Sequence, residues 1–168
     1  DELNGLLESL ALRGAVIKTL NSSSASRTFS GVTIETLGPL PDARFDVNNS
    51  SLVLRLSYGK IAFLFTGDIG KDGEDALLEK DIRTTVLKSA HHGSRTSSGM
   101  EFLKKAGPEA VVISAGRDNP SGHPHPEILE RYRAMGVKVF RTDIDGAVVV
   151  STDGSELKAT GHLTGKGL

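Results

Sequence analysis

Four of the five histidines in this 168-residue chain fall in two short stretches. One is His91-His92-Gly93-Ser94 and the other is Gly122-His123-Pro124-His125. A carboxylate, Asp68, follows Thr66-Gly67. Each stretch comes after an apolar run, which places it in a loop at a strand end. Asp and His without Cys make a donor set for zinc, manganese or iron, and a carboxylate can bridge two such ions. The chemistry this pattern offers is metal-assisted hydrolysis. Each residue alone also has a plainer role. Asp68 could close an Asx-turn or cap a helix. His91 and His92 could be a hydrogen-bonded loop pair, and His125 a polar cap. Two histidine clusters after neighbouring strands, with an Asp after a third, weigh more than their members. Other motifs fall short. Asp143 and Asp145 before Gly146 lack the closing Glu of a calcium loop and read as a hairpin turn. Gly70-Lys71 lacks the glycine spacing of a P-loop. Ser94 has no nucleophile-elbow motif around it.

Loops of this kind need a sheet to hold them. Residues 52–58 alternate with the period of a strand, Gly59-Lys60 makes a turn, and residues 61–65 return, predicting a hairpin. Residues 72–80 read as a short helix. Strand 85–90 precedes the first histidine loop. Ser98 and Glu101 have capping-box spacing and open a helix to Ala106, which Gly107-Pro108 stops. Strand 110–114 precedes the second histidine loop. Pro126 suits a first helical turn and Gly136 a C-terminal cap. Residues 137–141 and 147–151 read as strands around a turn at Asp145-Gly146. Upstream, Leu3, Leu6, Leu7 and Leu10 form one stripe of a helix. Residues 15–20 and 32–37 read as strands, with a Ser-rich loop at 21–30. Residues after Gly161 have little to fix them. Strand–helix alternation in the second half argues for an α/β class with added antiparallel strands.

Length and composition suit one globular domain. The absence of cysteine excludes disulfides, thiolate nucleophiles and iron–sulfur sites. No apolar run approaches the roughly 20 residues of a membrane helix, and no basic-then-apolar segment opens the chain. Twenty basic and 21 acidic residues give a net charge of -1, which as a total argues against nucleic acid. The distribution argues otherwise. Residues 83–141 hold 10 basic and 5 acidic residues, against 8 and 12 in residues 1–82 and 2 and 4 in residues 142–168. The positive segment carries both histidine loops, as a phosphate-backbone substrate would favour. A solvated face is the ordinary alternative.

The run from Phe63 to Asp68, the run from Leu87 to Ser98, Ile113-Ser114 with Gly122-His123-Pro124-His125-Pro126, and Arg141-Thr142-Asp143 with Gly146 occur in one order. Together with residues 48–54, they resemble the metallo-β-lactamase-like domain of ComEC-type competence proteins, the bacterial DNA-uptake channels. The resemblance covers residues 48–146. It implies an αββα sandwich that is incomplete in its N-terminal half, with residues 1–47 a shortened part and 161–168 a loose tail of a single domain. It implies a divalent metal, manganese or zinc, with two ions in the complete domain. Asp68 would bridge, and His91, His92 and His123 are ligand candidates, with Asp68 and His91 catalytic.

The family's first motif, His-x-His-x-Asp-His, is represented only by its tail. Asp1 matches the motif Asp as a further ligand, and Glu2 stands where His is expected. Ser94, Arg95, Ser97 and Ser98 are candidates for substrate phosphate, helped by amides at the following helix start. The resemblance implies a nuclease acting on single-stranded DNA. Its partner would be the membrane-embedded remainder of a parent protein in the bacterial inner membrane, with this domain on the outer face. No other protein partner is indicated. With a partial ligand set, the isolated chain is expected to be soluble and weak or inactive in hydrolysis. A non-catalytic nucleic-acid-binding or scaffold module, or a freestanding hydrolase of another phosphoester, is the alternative.

Overall fold

In a computed structural model, residues 2–41 and 46–168 are described. The chain begins with helix α1 (Glu2–Leu12), which buries none of its residues. Strands β1 (Arg27–Phe29), β2 (Val32–Gly38), β3 (Val53–Tyr58) and β4 (Ile61–Phe65) follow as an antiparallel run. From β4 the pattern changes. Helix α2 (Lys71–Leu77) leads to β5 (Val86–Lys88), α3 (Met100–Ala106) to β6 (Ala110–Ile113), and α4 (Pro126–Ala134) to β7 (Lys138–Arg141). These strands add in parallel, completing one seven-stranded mixed sheet in the order β1 to β7. A helix returns the chain between parallel neighbours because no tight turn can span that distance. Helix α5 (Thr142–Asp145) and the separate hairpin β8 (Val148–Thr152) and β9 (Leu157–Gly161) end the fold.

The register explains the layers. Leu64, Leu87, Val111 and Val139 are paired across the sheet as one row. Side chains alternate between faces, so this row meets Leu77, Phe102, Leu103, Ile128 and Tyr132 from α2, α3 and α4 in the main core. Burying each large apolar side chain contributes about 1.5–3 kcal/mol. The adjacent row, Phe65, Lys88, Val112 and Phe140, faces the other way. There Phe140 and Ala110 pack with Ala159, and Val112, Val148 and Val150 join them.

The β3–β4 hairpin, α2, β5, β6 and α4 agree with the sequence pattern to within a few residues. Gly107 ends α3 in the left-handed region (φ 56°), and Pro126 occupies the first turn of α4. Five expectations are corrected. Residues 15–20 form no strand; Val16 and Ile17 are exposed. β1 falls within the expected Ser-rich loop and pairs only at the sheet edge. The capping box does not form. Gly99 stands at the α3 N-cap with no side-chain cap, and the Ser98 hydroxyl pairs instead with Tyr132. Asp145-Gly146 is not a hairpin turn. β7 joins the main sheet and β8 pairs with β9, because α5 separates them. The C-terminal residues are tied down. Leu168 N–H donates to Ala159 O and the Thr164 hydroxyl to buried Asp145.

Candidate functional site

Because β4, β5 and β6 run parallel, their C-terminal ends share one edge, where loops of α/β folds gather ligands. Asp68 follows β4. The buried Thr66 hydroxyl donates to Lys88 O at 2.8 Å, joining this loop to β5. Gly67 turns the chain at φ 58°, and a Cβ there would lie 2.6 Å from the Ser51 Cβ. Ser51 Oγ accepts the Asp68 N–H at 3.0 Å, and His91 N–H donates to Gly67 O at 3.1 Å. Asn49 Oδ1 accepts from Gly70 and Gly73 at 2.8 and 2.9 Å, securing the chain just beyond. Sequence reasoning did not single out Ser51 or Asn49. Their available signal was the stretch of residues 48–54 before the hairpin.

The second loop is strained. His91 (φ 48°), His92 (φ 56°) and Gly93 (φ 82°) are three successive residues in the left-handed region. For non-glycine residues that costs of order 1–3 kcal/mol each and persists only where surroundings impose it. His92 Nδ1–H donates to Ser114 O at 2.7 Å. A carbonyl only accepts, which assigns the proton to Nδ1 and leaves Nε2 facing outward. That Nε2 lies 3.5 Å from Asp68 Oδ1. With the proton on Nδ1 these two atoms are both acceptors, an opposition that a cation between them relieves.

The third loop carries His123 and His125 on either side of Pro124, with a cis His123–Pro124 bond. Asn119 brackets His123, accepting its N–H at 3.0 Å and donating to its carbonyl at 2.7 Å. His125 Nδ1 accepts the Arg95 N–H at 3.2 Å, and His125 N–H donates to Gly93 O at 3.0 Å. The rings meet as a chain. Centroids are 6.4 Å apart for His91 and His92, 5.6 Å for His91 and His123, and 4.8 Å for His123 and His125. Burial lowers the pKa of His123, helped by the neighbouring His125, His91, His92 and Arg95, so its neutral form is favoured. A cavity of about 380 Å³ opens beside His92 and His123, with Ser114, Asn119 and Thr142 in its wall.

The phosphate candidates separate. Ser94, Ser97 and Ser98 are buried and their hydroxyls are bonded internally, to Thr96, to Ala90 and Ser94 carbonyls, and to Tyr132. Arg95 alone of the four is exposed. The amides of Ser98 and Gly99 donate to Glu74, at 2.5 and 2.8 Å. A carboxylate of the chain thus takes the place an external anion would have had. Asp1 lies outside the described residues, and Glu2 is exposed at the start of α1.

The donor types suit a divalent ion; their arrangement does not complete a site. Among the described residues, no three His, Asp or Glu side chains are grouped to hold one. Nor, among the described residues, is any helix long and apolar enough to cross a membrane.

The chain is similar to competence-related proteins. It is 40% identical over 103 residues to ComE operon protein 3 of Bacillus subtilis, covering 60% of this chain and 13% of that protein. It is 41% identical over 123 residues to competence protein ComA of Neisseria gonorrhoeae, covering 71% and 18%. It is 34% identical over 104 residues to recombination protein 2 of Haemophilus influenzae, covering 62% and 13%. The chain thus spans less than a fifth of the length of these relatives. No family model matches it.

Proposed function

We propose that this chain is the metallo-β-lactamase-like domain of a competence-related DNA-uptake protein, and that its histidine edge is part of a metal-dependent nuclease site for single-stranded DNA. The observation that carries this is that Asp68, His91, His92 and His123 follow the ends of three adjacent parallel strands, with His92 Nε2 3.5 Å from Asp68 Oδ1 and the His91 and His123 ring centroids 5.6 Å apart. The proposed cofactor is manganese or zinc, with two ions once further donors complete the set. The His92–Asp68 opposition and the neutral bias of His123 support cation binding at this edge. The parent would lie in the bacterial inner membrane, with this domain on its outer face.

The residues of this chain do three things at such a site. The loop hydrogen bonds hold Asp68 and His92 face to face. The Ser114 carbonyl fixes the His92 tautomer. The cavity beside His92 and His123 gives a phosphoester room to approach. A second reading, a nucleic-acid-binding module without hydrolysis, is favoured by the excess of basic over acidic residues in 83–141.

The test is incubation of the 168-residue chain with single-stranded DNA and manganese or zinc. Negligible cleavage is expected. Metal-dependent cleavage that Asp68→Ala abolishes would overturn the expectation of an inactive isolated chain. Cleavage by an extended form of the chain, lost with Asp68→Ala, would support the nuclease assignment.

A further inference from the structure

On the helical side of the histidine loops lies a second cleft, of about 270 Å³, whose wall includes Lys71, Glu74, Arg95 and Arg131. Arg131 is its fixed point. Its Nη1 donates to Ser97 O at 3.1 Å and Ser98 O at 2.9 Å, which holds the half-buried guanidinium in one pose. Among the described residues, no carboxylate forms an ion pair with it. Glu74 is the acid in the wall, and both its oxygens are turned to the amides of Ser98 and Gly99. Arg95 and Lys71 stand at the rim with mostly exposed side chains. Among the described residues, the ion pairs they make are with surface carboxylates, Glu127 at 4.0 Å and Asp75 respectively. Exposed pairs of this kind are weak and readily exchanged.

Arg95 also links the cleft to the histidine edge through its N–H to His125. A fixed arginine with no carboxylate in ion-pair contact among the described residues, flanked by two exchangeable cations, matches a phosphate oxygen pair better than a carboxylate or a neutral group. We propose that this cleft holds a backbone phosphodiester of a nucleic-acid strand one step away from the histidine edge, resting on the assignment above that the chain handles single-stranded DNA. The buried serines are the scaffold of this cleft: Ser97 and Ser98 orient Arg131 through their carbonyls.

Binding of a labelled dT20 oligonucleotide to the 168-residue chain, measured at several salt concentrations, tests this. Arg131→Gln and, separately, Arg95→Gln are each expected to weaken binding roughly tenfold. Each should also reduce the slope of log affinity against log salt by about one. Arg133→Gln, an exposed residue of α4 paired with Glu130, is the control and should bind as the parent chain does. Arg95 is exposed, so its variant keeps the test valid if Arg131→Gln unfolds. Parent-like binding by Arg95→Gln and by folded Arg131→Gln would overturn the proposal. So would saturable binding of inorganic phosphate with no binding of dT20. Failure of the nuclease assignment reads differently: extended protein that never cleaves DNA, with oligonucleotide binding still lost in the cleft variants.

Discussion

Gly93 and Pro124 touch so closely that a Cβ on Gly93 would lie 2.6 Å from the Pro124 Cβ. This contact, with the His125 N–H to Gly93 O bond, seats one histidine loop on the other. Glycine is required twice over, for the space and for φ 82°. Gly93→Ala is expected to cost about 2–4 kcal/mol from backbone strain and overlap together. Chemical denaturation checks the loss, and ring resonances of His91 and His123 should move with it.

Ser51 acts on Asp68 from 17 residues upstream through a single bond to its amide. Ser51→Ala should leave the fold intact and cost about 1 kcal/mol. Hydrogen exchange at the Asp68 amide should speed up, while amides in the paired strands β5 and β6 keep their protection.

Tyr132 is fully buried, and its hydroxyl lies 2.8 Å from both Ser89 and Ser98. Tyr132→Phe keeps the ring and leaves two buried serine hydroxyls without that partner. A loss of about 1–3 kcal/mol is expected in denaturant unfolding.

Burial pushes the Glu74 carboxyl up to about 7, against the amides of Gly99 and Ser98, which favour its charged form. The folded chain therefore holds this proton more tightly than the unfolded chain, whose Glu titrates near 4.5. Stability from this group is full below that value and falls as pH rises through about 7. His123 works in the opposite sense. Its lowered pKa makes the folded form lose stability as pH falls below the ordinary histidine range. The difference between the parent and Glu74→Gln isolates the Glu74 contribution. Melting temperatures across pH 4.5 to 7 should fall for the parent relative to the variant. A constant difference would contradict it.

Much of the site was legible because its residues are contiguous. Thr66-Gly67-Asp68, the His91 loop and the His123 loop each follow an apolar strand, and parallel pairing then brings them together. What stayed hidden depends on contacts between distant segments. Nothing local marks Ser51 as the acceptor for the Asp68 amide, or Glu74 as the acceptor for the Ser98 and Gly99 amides. Ser98 had the spacing of a helix cap, yet Tyr132 competes for its hydroxyl from 34 residues away. Residues 15–20 carried strand propensity without a neighbouring strand to pair with, and propensity alone does not hold a strand. α5 was missed because four residues are too few for a helical period to show.

The proposed function requires Asp68 and the loop histidines to act together as one cation-binding edge. It is tested most directly by titrating the 168-residue chain with zinc while following histidine ring resonances. His162, in the C-terminal segment, is the internal reference. The account predicts that His91, His92 and His123 shift together on one saturation curve, that His162 stays still, and that Asp68→Ala weakens the response. Independent or absent shifts at the three loop histidines, or a response unchanged in Asp68→Ala, would contradict it.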